Sequence, residues 1–258
     1  MRHLTRTEGS LMTTPRGSRR RFLFATTALM GVVGTATART IEGLPWTSNE
    51  VYPPAEARPG PWRFFTPEEG AAIEAIVDRL VPVDELGPGG KESGCAVFID
   101  RQLAGPYGRC EGMYMQGPFP TNPLPTQGFQ SSVTFAEAYR RGLAGLAAHV
   151  ARNFGGKKVP QLSGEELDRL LTSMEKREIN TPEFNASSFF DLVHNNTMEG
   201  FFADPIYGGN KDMAGWKLLG FPGTRYDFRD VIARPNTRYT LPPVSLLGRP
   251  EWNPGGRS

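Results

Sequence analysis

Cysteine and histidine are scarce in this 258-residue chain: two cysteines, Cys95 and Cys110, and three histidines. Two thiols are too few for an iron–sulfur cluster of the usual four-cysteine kind. Cys-x-x-Cys-His is missing, which excludes an attached c-type haem. No Gly-x-Gly-x-x-Gly stands between a strand and a helix, so nothing points to a dinucleotide fold. No run reaches the ~20 apolar residues that a membrane-crossing helix needs. Nor does any alternating run of β-branched residues rise above the helical patterns. The residues therefore suggest no redox centre in this chain.

What is present begins at Ser18-Arg19-Arg20-Arg21-Phe22-Leu23, followed by a short apolar run from Phe24 to Val33 and by Ala36-Thr37-Ala38. A basic start, a brief apolar core and a small-residue cleavage pattern are the three parts of a secretory leader. The arginine pair Arg19-Arg20 ahead of the core, with Ser18, Phe22 and Leu23, points to the twin-arginine (Tat) route. That route carries folded cargo. The expected result is a periplasmic protein beginning near Arg39, cut after Ala38, with no transmembrane helix in the mature chain.

Residues 1–38 hold six of the 29 Lys+Arg and one of the 27 Asp+Glu, leaving 23 against 26. The mature chain is therefore slightly acidic, and a nucleic-acid partner is not expected. In an oxidising compartment Cys95 and Cys110 could close a short loop for about 3 kcal/mol at most. Two separate buried thiols are the alternative. The compartment favours the disulfide.

Residues 39–63 form an extended lead-in, because Pro45, Pro53, Pro54, Pro59 and Pro61 prevent a helix. Thr66-Pro67-Glu68-Glu69 reads as an N-cap, a first-turn proline and a capping box. Ile73, Ile76, Val77 and Leu80 follow at helical spacing until Pro82. Further helices are predicted over Ser93 to Leu103, Thr134 to Asn153, Ser163 through Met174, and Ser187 to Phe202. Between them, 105–131 is a long irregular stretch rich in proline, aromatics and methionine. Connections of this length are usually functional or disordered, and its composition favours a loop that packs on something. Past Ile232 a proline- and arginine-rich tail, 233–258, can form neither a helix nor a central strand, and either lies extended along a surface or is disordered. The fold class is all-α, a single domain of about five helices with long irregular connections and extended arms.

The segment His194 to Gly223, HNNTMEGFFADPIYGGNKDMAGWKLLGFPG, is the most distinctive. It resembles the signature of the gluconate 2-dehydrogenase subunit 3 family. The matching positions are His194, Thr197, Glu199, Gly200, Phe202, Asp204, Pro205, Tyr207, Gly208, Gly209, Asn210, Gly215, Trp216, Gly220, Phe221, Pro222 and Gly223. Asn195-Asn196 separate His194 from Thr197, where the family pattern brings them closer. Residues 64–89 and 98–108 resemble the family's opening helices, so the resemblance covers roughly 64–232.

The resemblance implies a non-catalytic accessory subunit of a membrane-bound dehydrogenase acting on a sugar or sugar acid. The expected partners are a glucose–methanol–choline-type catalytic subunit that binds FAD, a c-type cytochrome subunit that binds haem, and the Tat translocon. This chain would hold no cofactor itself. It would stabilise the leaderless flavoprotein, export it as a folded pair, and sit at the periplasmic face of the inner membrane through the complex. The arms and the 105–131 loop would wrap the partner. Gly208-Gly209-Asn210 could meet the flavoprotein or make an ordinary turn. Trp216 and Phe221 could anchor an interface or fill the core.

The competing reading is a stand-alone periplasmic hydrolase or sugar-binding protein. His194 lies three residues from Asp191 and five from Glu199, which invites acid–base or metal chemistry. The two-histidine helical spacing of zinc sites is missing, so a hydrogen-bonded structural histidine is the simpler interpretation.

Overall fold

The computed structural model describes residues 55–120, 122–181, 184–225 and 228–248. The leader residues Ser18, Arg19, Arg20, Phe22, Leu23, Ala36 and Ala38 lie outside the described residues, as do most of the lead-in and the last ten positions. The described residues are mostly helical, as the apolar spacing predicts.

Helix α1 (Pro67–Leu80) opens on the expected capping box: Thr66 Oγ1 accepts from Glu69 N, and Glu69 accepts from Thr66 N. Its buried face is Ile73, Ile76 and Val77, each side chain contributing roughly 2 kcal/mol. Helix α2 (Cys95–Ala104) buries Phe98, Ile99 and Leu103. Helix α3 (Phe135–Asn153) is capped by Thr134 and buries Tyr139, Leu143, Leu146 and Val150. Helix α4 (Gly164–Glu175) starts on the Ser163–Glu166 capping box and buries Leu167, Leu170, Leu171 and Met174. A two-residue antiparallel ladder, β1 (Asn180–Thr181) against β2 (Phe184–Asn185), then turns the chain into α5 (Ala186–Phe202).

Helix α5 is the axle of the domain. It packs against α1, α2, α3 and α4, and against the short α6 (Ala214–Leu219) that follows it. The buried positions Ala186, Phe189, Val193, Asn196, Thr197, Gly200 and Phe201 recur every three or four residues, which keeps one stripe turned inward. The approach of α3 to α5 is close: a Cβ on Gly142 would stand 2.2 Å from the Phe189 ring. A final short helix, α7 (Arg229–Ile232), precedes the tail.

The structure departs from the sequence reading at one place and adds contacts at two others. Cys95 and Cys110 are not bonded; both are free and buried. Cys95 opens α2, and Cys110 lies beyond its far end, where its Sγ receives the Phe135 N–H at 3.4 Å. A ten-residue helix spans about 15 Å, whereas bridged cysteines need Cα atoms about 4.4–6.8 Å apart. The described end of the lead-in, without helix or strand, is tied to the domain. Asp100, wholly buried, accepts N–H bonds from Arg63 and Phe64 at 2.9 Å and from Phe65 at 3.0 Å, and pairs with Arg101. A carboxylate can be buried when its oxygens are filled in this way. The described part of the tail takes the first of its two alternatives and lies along the domain. Val244 forms a parallel bridge with Gly223, and Thr224 N donates to Val244 O at 2.7 Å. The stretch 105–131 is irregular as expected, with one short 3-10 turn at Pro125–Gln127.

Candidate functional site

The C-terminal half of α5 carries two different surfaces. Facing inward, Asn196 accepts a hydrogen bond from Tyr139 Oη and donates to Tyr107 Oη, both at 2.9 Å, and donates to Glu199 at 2.8 Å. Every polar atom of that amide side chain is thereby used, which is what a buried amide requires. Burial pushes the Tyr139 hydroxyl well above its ordinary pKa. Burial also raises that of Tyr107, against the hydrogen bond from Asn196. Both phenols are therefore neutral bridging groups. Next to Asn196, Thr197 turns its hydroxyl back to Val193 O at 2.7 Å.

On the outer side, His194 is exposed and stacks on Phe190, with ring centroids 5.9 Å apart. Glu199 is held by Asn196 rather than by the histidine. The acid–base group imagined for His194 with Asp191 or Glu199 is thus not assembled. Among the described residues no group of three His, Cys, Asp or Glu could hold a metal ion. An open groove of about 470 Å³ lies beside this end of α5, with Phe98, Gln102, Glu199, Asp204 and Tyr207 among its walls.

Beyond Phe202 the chain folds into a compact knot. Asp204 caps the 3-10 turn Pro205–Tyr207 by accepting from Ile206 N, and its second oxygen accepts from Leu246 N at 2.8 Å. Asn210, fully buried at φ 46°, donates to Ala203 O at 2.8 Å and accepts from Gly215 N at 2.9 Å. Trp216, 5% exposed, donates its indole N–H to Phe202 O at 2.7 Å. The glycines permit the contact. A Cβ on Gly209 would lie 2.2 Å from Gly200 O, and Gly208 adopts φ +94°, a region that disfavours side chains. Gly208-Gly209-Asn210 is therefore a turn pressed against α5.

The two aromatics divide. Trp216 fills the core, while Phe221 sits edge-on against it with 46% of its surface exposed. Gly220 caps α6 in a left-handed conformation, and Pro222 O accepts from Val244 N. The knot thus holds α6, Phe221 and the tail in one assembly and turns Leu218, Leu219 and Phe221 outward. Sequence reasoning missed Tyr107, Tyr139, Asn196 and Asp100. For Tyr139, Asn196 and Asp100 the visible signal was a polar side chain placed on an otherwise apolar helical face; Tyr107, in the turn after α2, gave none.

No curated protein and no solved structure matches the chain significantly. A family model, Gluconate 2-dehydrogenase subunit 3, matches residues 67–223. That span runs from the first residue of α1 to the glycine that receives the tail, and it contains the Asn196 bridge and the knot. The chain belongs to the gluconate 2-dehydrogenase subunit 3 family.

Proposed function

We propose that this chain is the non-catalytic small subunit of a periplasmic flavoprotein dehydrogenase complex. It stabilises the FAD-binding catalytic subunit and carries it through the Tat pore as a folded pair. A c-type cytochrome completes the assembly at the inner membrane, and FAD and haem reside in those partners. The observation that carries this reading is the use made of the family signature. Asp204, Asn210 and Trp216 bind backbone of their own chain, and together they support an outward apolar ridge. Side chains used in this way build a platform for contact rather than a reaction centre. The leader supports the export half: Tat cargo is folded, and a leaderless flavoprotein that must bind FAD first has reason to travel with a partner that carries one.

The test is to express the FAD-binding subunit with and without this chain and measure its solubility, flavin content and co-purification. The reading expects a stable pair, with loss of soluble flavoprotein when this chain is omitted. A flavoprotein equally soluble and flavin-loaded alone, and never retained by this chain, would sink it.

A further inference from the structure

The exposed apolar side chains are not scattered. Of the thirteen large ones among the described residues, eight fall between Leu218 and Leu247. Isolated exposed apolar residues need no explanation, but here they are concentrated in one segment, whose two arms are joined by the Phe228–Tyr239 ring contact and by Arg225 to Pro242 O, and grouped exposure of this kind points to an interaction surface. Here the surface is also ordered from beneath. Val244 points inward at 7% exposure, whereas Leu241 is 50% exposed. The backbone is tied down by Val244 N to Pro222 O, Arg225 to Pro242 O and Leu246 N to Asp204. A tail that served only to cover its own domain would turn its leucines in. This one is pinned by its polar backbone and presents them outward.

Charge separates this limb from the rest of the domain. Residues 55–210 carry 14 Lys+Arg against 20 Asp+Glu, while residues 211–248 carry six against three. A basic, apolar limb on an acidic body fits an apolar surface with an acidic rim. Two classes of partner offer that combination, an anionic lipid surface and a protein. Lipid leaves irregular backbone without hydrogen-bond partners, and interfacial binding ordinarily uses a long amphipathic helix. The limb has only α6 of six residues and α7 of four, joined by irregular chain. A protein can meet such a backbone with donors and acceptors of its own.

We infer that residues 211–225 and 228–248, centred on Leu219, Ile232 and Leu241, form the docking face for the FAD-binding subunit, against an apolar surface of that subunit rimmed by carboxylates. This rests on the accessory-subunit reading and adds where contact is made. A preformed ridge binds without the ordering cost that a disordered arm would incur.

The test uses the full chain with the FAD-binding subunit as the probe. Leu219→Glu, Ile232→Glu and Leu241→Glu together place carboxylates on side chains that are 65%, 74% and 50% exposed, so folding is spared; an unchanged thermal melt checks this. Val83→Glu, at a site 64% exposed just beyond α1, serves as control. The expected result is at least a tenfold loss of affinity for the triple variant and less than a twofold change for Val83→Glu. Wild-type affinity in the triple variant would overturn the docking face while leaving the subunit reading intact. Binding of the wild-type chain to phosphatidylglycerol vesicles, or self-association, abolished by the triple substitution while subunit binding persists, would also overturn it. Failure of the wild-type chain to bind the subunit at all would remove both this inference and the function it rests on.

Discussion

Asp204 and Leu246 are 42 positions apart, yet the carboxylate of the first accepts the backbone N–H of the second at 2.8 Å. The same carboxylate caps the turn at Ile206, so one side chain links the end of α5 to the tail. Asp204→Ala is expected to cost about 1–3 kcal/mol, the range for stranding partly buried donors. The loss should be uneven. Hydrogen exchange should accelerate at Leu246 and its neighbours far more than at Leu146 or Val150 in the core. Uniform acceleration across the domain would contradict a local tether.

Asn210 is held at φ 46° with both ends of its amide bonded. Asn210→Ala keeps the strained backbone and removes both bonds, for an expected cost of about 2–4 kcal/mol. Asn210→Asp keeps the acceptor for Gly215 but sets a buried carboxylate oxygen against Ala203 O, so its melting temperature should fall at least as far as that of the alanine variant. Equal melting temperatures for all three would show that the knot is held by something else.

Glu69 supplies a pH dependence. Burial raises its pKa, but the ion pair with Arg140 and the Thr66 N–H outweigh burial and hold it below the ordinary 4.5. A depressed carboxyl contributes stability above its unfolded pKa and loses it as pH falls through the folded value. Unfolding free energy should therefore decline below about pH 4.5. Glu69→Gln should flatten that decline while costing about 1 kcal/mol at neutral pH, since the pair is partly exposed. An unchanged acid profile in the variant would remove Glu69 from the account.

The cysteines give a chemical test of the correction to the disulfide expectation. Burial pushes the Cys95 thiol up to about 12, so it is protonated and shielded at neutral pH. Two free thiols should titrate in denaturant even after purification without reductant, and Cys95 should resist alkylation in the native protein. Fewer than two thiols under those conditions would restore the bridge.

The helices were readable because their signals are local. Thr66, Thr134 and Ser163 cap where their spacing to Glu69, Glu137 and Glu166 suggests, and the apolar stripes repeat within single segments. What sequence could not supply was long-range polar pairing. Asp100 looks like any helical aspartate until three amides 35 to 37 positions earlier converge on it. Asn196 looked like an interruption of the family pattern, yet it bridges Tyr107 and Tyr139 from two other segments. Which of its two alternatives the tail would take was not legible for the same reason, since Gly223 and Asp204 lie 21 and 42 residues upstream of Val244 and Leu246, their partners in it. The signature itself was plain as a motif, but whether Trp216 or Phe221 reached the surface depended on the packing of a helix only six residues long.

The central claim is that this chain exports its partner, and the most direct measurement is periplasmic dehydrogenase activity when the FAD-binding subunit is co-expressed with an Arg19→Lys, Arg20→Lys variant. The pair is expected to form in the cytoplasm, as judged by co-purification, while periplasmic activity falls at least tenfold. Full periplasmic activity with the arginine pair removed would contradict it.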